Sequence, residues 1–558
     1  WNWHETSFDS FSFSGDRNLT AFLSTAQAVG LQVMLRVGPY GCGEWEFGGF
    51  PSYLLNPELS PNMTLRTFNP TYLGHVKRWW VGHLLPEVVP MLIQNGGPVI
   101  MVQMENEFGS YGDVSTVPAD KQYMEWLVST ARSVLGSEIQ LYTTDGGSSS
   151  YMTRGSLPGS VVYTVGDGGP GDQTNNFAAM RAMNAPGKSP GMSSEFYTGW
   201  LTHWGERMAN TSSANIASSL DQLFAMNGSV SLYMGIGGSS FLWNGANGGG
   251  TSYSPTITSY DYDSPIEEGG GHGYGSDKLD KFEAIRSVLT KWRAATGQAP
   301  PPSEPPAPAT TAYGAVAVTG WADFVSNVDV LATNTTSGLA APASMEALFL
   351  QTFGFILYTT RPAPTAGPFW VHVSGAQDRA QVLSSTGDVA ATLYRGGAPV
   401  NVSFEAGTEA RLLVEEMGRL NFGRGMTDPK GLTAADVTLS VEAASWTAVS
   451  LPLDWAQVAK LTPTALPADG GKPVFFFATL AISGAPADTY LQMGAWGKGM
   501  VWVNGFNIGR YWSTKGPQNT LYVPASLLHS GANSFVVLEV DAAPSDPALI
   551  FQAIPDFS

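Results

Sequence analysis

The stretch PVIMVQMENE, residues 98–107, carries the main evidence for the fold. Its first part is an apolar run without strict alternation, which is typical of a strand covered on both faces in a parallel sheet. Its last part is polar and ends on Glu105, Asn106 and Glu107. In a (β/α)8 barrel, the carboxyl ends of the strands carry the active site. The stretch therefore predicts a parallel α/β domain with functional groups at one edge of its sheet.

Segments of the same kind lie on both sides of this stretch. Strand-like runs are predicted at 31–40, 139–145, 161–168, 190–196 and 229–238, and helices at 16–29, 70–94, 119–135 and 276–297. Strands that alternate with helices in this way predict parallel βα units. Glu44 follows the first strand-like run and Glu195 ends the fifth, so carboxyl groups recur at strand ends. We therefore predict an α/β fold of the (β/α)8, or TIM-barrel, type.

The second half of the chain has a different character. Residues 298–309 are rich in proline, which predicts a linker. Residues 310–558 contain short β-branched and aromatic runs separated by Gly, Pro, Asn and Asp. Such runs predict one or two antiparallel β-sandwich domains.

The composition argues against several classes of protein. The 558 residues include 46 acidic and 28 basic ones, a net charge of −18, so binding to nucleic acid is not expected. No apolar run is long enough for a membrane-spanning helix. The single cysteine, Cys42, excludes an intramolecular disulfide, and the seven dispersed His residues contain no HExxH pair. We expect neither a metal ion nor a cofactor.

Two glutamates at strand ends are candidates for catalysis. Cleavage of a glycosidic bond needs a proton donor on the leaving oxygen and a carboxylate that faces the anomeric carbon. Glu107 and Glu195 end separate strand-like runs, and aromatic residues follow each of them. Most carboxylates in proteins are merely solvated. From the residues alone, Glu105, Glu107 and Glu195 could equally be loop acids or salt-bridge partners.

Several long motifs resemble those of glycoside hydrolase family 35, the retaining β-galactosidases. They are WNWHE (1–5), GPYGCGEWEFGGFPSYLL (38–55), VQMENEFGSYG (102–112), SSEFYTGWLTHWG (193–205), TSYDYDSPIEE (258–268), AWGKGMVWVNGFNIGRYW (495–512) and GPQNTLYVP (516–524). The resemblance spans nearly the whole chain and is weakest at about 310–440. It implies an exo-acting enzyme that removes terminal non-reducing β-D-galactose from oligosaccharides, glycans or polysaccharides with retention of configuration.

The resemblance also implies a domain order. We expect a catalytic barrel at 1–297, the linker at 298–309, a β-sandwich at 310–440 and a galactose-binding-like jelly-roll domain at 441–558. Family members have two strands and a helix before the segment that matches residues 1–5. We therefore expect the sequence to be N-terminally incomplete. An open six-stranded remnant would expose unpaired edges, so we expect it to be poorly folded and inactive by itself.

The resemblance assigns the two catalytic roles. It implies that Glu107 is the general acid/base and that Glu195 is the nucleophile, which forms a galactosyl-enzyme. The negative charge of ionised Glu195 is expected to raise the pKa of Glu107, so that Glu107 starts the reaction protonated. Formation of the intermediate removes that charge, and Glu107 then becomes a better base.

Six further residues are implied to bind the sugar. They are Cys42, Gly43, Glu44, Asn106, Trp200 and Tyr262. Asn106 is expected to bond the sugar 2-hydroxyl, and Gly43, which replaces the usual alanine of the family, to act through its backbone. From the residues alone, Asn106 could be a turn former and Cys42 could be a small buried hydrophobic residue. Trp200 and Tyr262 could simply pack in the core or on the surface.

The sequence leaves the substrate specificity and the cellular compartment of the protein open. Leu242 precedes Trp243 where the family often has tyrosine, which puts the fine specificity in doubt. The alternatives are a retaining glycosidase of other specificity and a non-catalytic glycan-binding protein. Six Asn-x-Ser/Thr sequons are compatible with a glycoprotein of the vacuole, the lysosome or the extracellular space.

Overall fold

The computed structural model describes residues 1–159, 162–249, 252–362, 367–465 and 472–558. Residue 161, the first residue of one predicted strand, lies outside these ranges. The first half of the described chain folds around a six-stranded parallel sheet. The second half folds into antiparallel sheets of eight, six and three strands. The α/β and all-β characters predicted for the two halves are confirmed.

The parallel sheet places its strands in chain order. Its strands are β1 (Val33–Arg36), β2 (Val99–Gln103), β3 (Gln140–Asp145), β4 (Val162–Gly168), β5 (Met192–Tyr197) and β6 (Ser229–Tyr233). Each strand pairs in parallel with the next. All carboxyl ends therefore meet at the same edge of the sheet, where the chain leaves each strand. Strands beyond these six stay a prediction.

Helices connect these strands. The longer helices are Leu19–Ala28, Pro70–Trp79, Pro118–Leu135, Thr174–Met183, Ser213–Ala225 and Lys281–Ala295, and the shorter ones Leu85–Val88, Phe108–Tyr111 and Ser149–Gly155. The sequence analysis did not predict the helices at 174–183 and 213–225, which are rich in Asn, Ser and Thr. Those residues are poor helix formers, and here burial of apolar residues such as Phe177 and Leu220 outweighs propensity.

The helix predicted at 70–94 is divided into several pieces. Its N-terminus is capped, because the Asn69 side chain accepts a hydrogen bond from the Tyr72 amide at 3.1 Å. Pro70 occupies the first turn, where proline is favoured. A single π-turn at Trp80–Leu84 follows, and then the short helix Leu85–Val88. Pro90, which has no amide hydrogen, lies in the 3₁₀ turn Val89–Met91, and a second 3₁₀ turn follows at Ile93–Asn95.

Each large antiparallel sheet contains strands that are distant from one another in the sequence. The eight-stranded sheet contains, in spatial order, Phe506–Trp512, Lys498–Val503, Gly531–Glu539, Val474–Ile482, Gly314–Asp323, Ala548–Gln552, Thr489–Gln492 and Thr520–Val523. The six-stranded sheet contains Asn334–Leu339, Ala443–Leu451, Phe355–Pro362, Ala410–Glu415, Arg379–Leu383 and Val389–Tyr394, and the three-stranded sheet Val400–Phe404, Phe369–Val373 and Val437–Leu439. Pairing thus crosses the boundary predicted at 440, because 443–451 joins the earlier strands and 314–323 joins the later ones.

A buried arginine connects the parallel α/β half of the chain to the antiparallel half, which is called the β region below. The Arg419 guanidinium contacts Glu46 at 2.5 Å and also forms an ion pair with Glu346, and all three side chains are almost fully buried. The Arg419 amide donates a further hydrogen bond to Glu46 at 2.8 Å. Glu46 follows the loop of Cys42, Gly43 and Glu44, so this contact holds that loop against the β region.

Replacing Arg419 with methionine should strongly destabilise the protein. The change leaves two carboxylates buried without their cation, and we expect the free energy of unfolding to fall by about 3–5 kcal/mol. Chemical denaturation measures the loss. The matched control is Arg411→Met, which breaks the more exposed pair with Glu409 and should cost about 1 kcal/mol or less. Equal losses in the two variants would contradict the prediction.

Candidate active site

A cavity of about 150 Å³ opens at the carboxyl edge of the parallel sheet. Its wall contains Arg36, Cys42, Gly43, Glu44, Asn106, Glu107, Glu195, Tyr197, Trp200, Leu201, Tyr233, Asn247, Tyr262 and Phe422. Every site residue predicted from the sequence lies in this wall, although the residues come from distant parts of the chain. The folded chain therefore gathers these residues at one site.

Glu107 lies just beyond β2, where the backbone turns sharply. Its φ of 45° places it in the left-handed region, which side chains other than glycine rarely adopt. Its amide donates a hydrogen bond to the Thr144 carbonyl of β3 at 2.9 Å, which fixes the turn. Burial, followed by the charge of Glu195, raises the pKa of the Glu107 carboxyl. Glu107 therefore keeps its proton to a higher pH than a solvated glutamate does.

Glu105 is close in sequence but has a different environment. Arg66 donates to both of its carboxylate oxygens, at 3.2 and 2.9 Å, and the Tyr123 hydroxyl donates at 2.7 Å. The side chains of Arg66 and Glu105 are each 1% exposed. Arg66 also donates to the Asn106 carbonyl at 2.7 Å and so supports the same turn. Glu105 is thus a salt-bridge partner outside the cavity wall.

Glu195 approaches the same cavity from β5. The Arg36 guanidinium, at the end of β1, lies 2.7 Å from its Oε1 atom. The same Arg36 nitrogen donates a hydrogen bond to Asn106 Oδ1. In turn, Asn106 Nδ2 donates to Glu107 Oε2 at 3.3 Å. Two side chains therefore connect the two glutamates, which face a common space.

The sequence analysis missed several residues around these carboxyl groups. The Tyr197 hydroxyl lies 3.3 Å from Glu195 Oε2 and 3.4 Å from Asp167 Oδ2. Arg36 and Asp167 sit at or near strand ends, and that position was the available signal. Phe422 comes from the β region, and no local pattern indicated its place.

The Cys42–Glu44 loop forms one side of the wall. Burial raises the pKa of the Glu44 carboxyl to about 7, although the Tyr260 hydroxyl donates a hydrogen bond to it. Burial also raises the pKa of the Cys42 thiol, which therefore stays protonated. Gly43 has a φ of 67°, a conformation that glycine adopts without strain. This side of the wall offers hydrogen-bonding groups in a partly dry space.

Aromatic rings form the other side. Tyr262 packs against Tyr233 and Tyr260 with ring centroids 5.3 Å apart in both cases. Trp200, which is 50% exposed, lies at the mouth, 6.1 Å from Tyr262 and 5.2 Å from Tyr197. Flat apolar rings beside hydrogen-bonding groups suit a sugar, which has apolar C–H faces and a polar rim of hydroxyls.

Two carboxyl groups that face one small aromatic cavity, at the carboxyl edge of a parallel α/β sheet, are the arrangement that a glycoside hydrolase needs. In the part of the chain that the structure describes, no cluster of His, Cys, Asp and Glu could hold a metal ion. None of the described helices has the length and hydropathy to cross a membrane.

Comparison with known proteins identifies the family. Residues 1–292 match the model of glycosyl hydrolases family 35, residues 342–452 that of the first all-beta domain of beta-galactosidase, and residues 473–533 that of its galactose-binding domain. The chain belongs to glycosyl hydrolases family 35.

Curated relatives match almost the entire chain. Beta-galactosidase 17 of Arabidopsis thaliana is 40% identical over 578 residues, which cover 97% of this chain and 80% of that protein. The beta-galactosidase-1-like protein of Mus musculus is 38% identical, over 99% of this chain and 83% of that protein. The beta-galactosidase of Homo sapiens is 37% identical, over 98% and 81%.

Proposed function

We propose that the protein is a retaining exo-β-galactosidase. It removes terminal non-reducing β-D-galactose from oligosaccharides, glycans or polysaccharides through a covalent galactosyl-enzyme. The observation that carries the proposal is the pair Glu107 and Glu195 in the wall of one cavity. The relatives named above, which are beta-galactosidases or similar to them, support galactose as the sugar that is released.

The proposal of retention draws support from the connection between the two carboxyl groups. Arg36 and Asn106 link Glu195 to Glu107 through direct contacts. A retaining mechanism requires the two carboxyl groups to lie about 5–5.5 Å apart. In that mechanism Glu195 attacks the anomeric carbon directly.

Glu107 serves each half of the reaction in turn. Its raised pKa keeps it protonated at the start, and its proton passes to the departing oxygen as the bond to the sugar breaks. When Glu195 becomes an ester, its charge disappears and the pKa of Glu107 falls. Glu107 can then remove a proton from the water that hydrolyses the ester.

The cavity shape supports exo action. A volume of about 150 Å³ is suited to a single sugar ring, and the bulky side chains of Trp200 and Phe422 belong to its wall. Asn106 would bond the sugar 2-hydroxyl, while Cys42, Gly43, Glu44 and Tyr262 would contact the remaining ring. The rest of the substrate would leave through the mouth near Trp200, so only a terminal residue can be removed.

The exposed sequons support a location in the secretory pathway. All six sequon asparagines are exposed, as glycan acceptors must be: Asn18, Asn62, Asn210, Asn227, Asn334 and Asn401. We therefore extend the proposal to a vacuolar, lysosomal or extracellular glycoprotein.

The function is tested by following an aryl β-D-galactoside with proton NMR during hydrolysis. We expect β-galactose to form first and α-galactose only later by mutarotation. Early α-galactose would contradict retention. Hydrolysis of another aryl β-glycoside in preference would indicate the alternative specificity, and galactan binding without any turnover would indicate a glycan-binding protein.

A further inference from the structure

Gln103 is a buried side-chain amide for which the two-glutamate reaction provides no role. It is the last residue of β2 and is 2% exposed. It does not belong to the cavity wall, so any part that it plays in the reaction must act through another residue. A buried amide is costly unless its polar atoms are hydrogen-bonded. The hydrogen-bond partners of Gln103 therefore indicate what it does.

Both ends of the Gln103 amide are hydrogen-bonded. Its Nε2 atom donates to the Glu105 carbonyl at 2.9 Å and to Asn106 Oδ1 at 3.0 Å. Its Oε1 atom accepts a hydrogen bond from the Thr144 hydroxyl at 3.3 Å. The Ser194 hydroxyl lies 3.0 Å from the Thr144 hydroxyl. A line of hydrogen bonds therefore runs behind the cavity wall, from the turn after β2 through β3 to β5.

Two partners of fixed character decide how the two amides are oriented. A backbone carbonyl can only accept, so the end of Gln103 that faces the Glu105 carbonyl must be Nε2. A guanidinium can only donate, so the atom of Asn106 that faces Arg36 must be Oδ1. Turning the Asn106 amide over would place its NH₂ group against two donors, and both hydrogen bonds would be lost. The network therefore holds the Asn106 amide in one orientation.

This orientation determines what Asn106 offers to the cavity. Its Oδ1 atom is occupied by the donors Arg36 and Gln103, whereas its Nδ2 atom donates to Glu107 Oε2 at 3.3 Å. Asn106 and Glu107 both belong to the cavity wall. Within the described chain, Nδ2 makes no second hydrogen bond. Asn106 therefore has an N–H group left for a ligand, and its acceptor atom is already used.

We propose that Gln103 is a positioning residue that holds the Asn106 amide with its NH₂ group toward the cavity, so that Asn106 donates a hydrogen bond to the 2-hydroxyl oxygen of the sugar. This inference rests on the proposed function, in which Asn106 bonds that hydroxyl. It adds the direction of the hydrogen bond and the residue that sets this direction.

Of the two donors to Asn106 Oδ1, Gln103 is the more firmly held. The Arg36 side chain is 32% exposed and also forms the ion pair with Glu195 at 2.7 Å. Gln103 is almost fully buried and is anchored at both ends of its amide. Hydrogen bonds to the sugar 2-hydroxyl strengthen as the transition state forms. A less firmly held Asn106 should therefore slow the reaction of substrates that carry this hydroxyl.

The test compares an aryl β-D-galactoside with its 2-deoxy analogue in the full-length protein carrying Gln103→Met. Methionine has a similar size but cannot donate, so only Arg36 would still hold Asn106 Oδ1. We expect kcat/KM for the galactoside to fall by about tenfold or more, and kcat/KM for the 2-deoxy substrate by about twofold or less. The ratio of the two values should therefore fall. A loss of folded protein would lower both values equally and leave their ratio unchanged.

The matched control is Gln351→Met in the β region. Gln351 is also buried, donates to the Phe353 and Phe355 carbonyls at 2.6 and 2.8 Å, and accepts from the Ser450 hydroxyl at 2.7 Å. It does not belong to the cavity wall. This variant should lower the free energy of unfolding and leave the ratio at its wild-type value.

A double variant shows whether Gln103 acts through Asn106. Asn106→Ala removes the proposed contact itself, so adding Gln103→Met to it should change the ratio no further. An unchanged ratio in Gln103→Met, or a further fall in the double variant, would overturn the inference. Gln103→Glu, which keeps the shape but cannot donate to both acceptors at once, decides alone if the methionine variant does not fold. Absence of galactosidase activity in the wild type would instead overturn the proposed function.

Discussion

Replacement of Glu195 by glutamine should lower kcat for an aryl β-galactoside by on the order of 10⁴–10⁶-fold, as expected when a covalent nucleophile is removed. Glutamine has nearly the same size but cannot form the glycosyl ester. Arg36, which lies 2.7 Å from Glu195, would lose its ion pair, while its hydrogen bond to Asn106 can persist. The fold should therefore survive, and the loss should be chemical.

Steady-state kinetics and thermal melting separate these two effects. A second readout is mass spectrometry after exposure to a 2-deoxy-2-fluoro-galactosyl inactivator, which should label the wild type on Glu195 and leave the variant unlabelled. The matched control is Glu206→Gln, at an exposed carboxyl bonded to His203, and its activity should stay normal. Normal turnover in Glu195→Gln, or labelling at another residue, would refute the assignment of the nucleophile.

Replacement of Glu107 by glycine should have an effect that depends on the leaving group. With an unactivated galactoside, which needs a proton donor, we expect a loss of about 10²–10⁴-fold. With a dinitrophenyl galactoside, whose leaving group needs no proton, the first step should be much less affected and the galactosyl-enzyme should accumulate. Glycine suits this position, because Glu107 has a φ of 45°.

Azide provides the control for this variant. It attacks the galactosyl-enzyme without needing a base, so it should restore turnover of the dinitrophenyl substrate and yield β-galactosyl azide. In a Glu195→Gly variant, direct attack by azide would give the α-azide instead. The opposite configurations therefore identify which carboxyl is which. Failure of azide to accelerate Glu107→Gly, or formation of the α-azide by it, would contradict the acid/base assignment.

The strands of the parallel sheet could be predicted from the sequence because their signal is local. A continuous apolar run such as 98–103 is the pattern of a strand covered on both faces, whatever its partners are. The carboxyl groups that follow predicted strands could also be selected as site candidates, because the carboxyl ends of parallel strands meet at one edge of the sheet. The polar helices at 174–183 and 213–225 lacked such a signal, because burial against neighbouring elements stabilises them.

The pairing of the β strands could not be predicted by the same means. Short β-branched and aromatic runs indicate strands in the second half of the chain, but such a pattern does not say which strand lies beside which. The strand at 443–451 is an example. In the structure it pairs with 334–339 and with 355–362, across the boundary expected at 440. Partner choice depends on the shape of the assembled cores, which is a property of the whole chain.

The sequence by itself determined the α/β and all-β halves, the family and the residues gathered in one cavity wall, because hydrophobic patterns and long motifs are local. Only the tertiary structure decided that Arg66 holds Glu105 outside the wall, that Phe422 reaches the cavity from the β region, and that the Tyr197 hydroxyl lies near both Glu195 and Asp167. Whether a carboxylate holds a proton depends on burial and on charges from other strands, and those distances exist only in the folded chain.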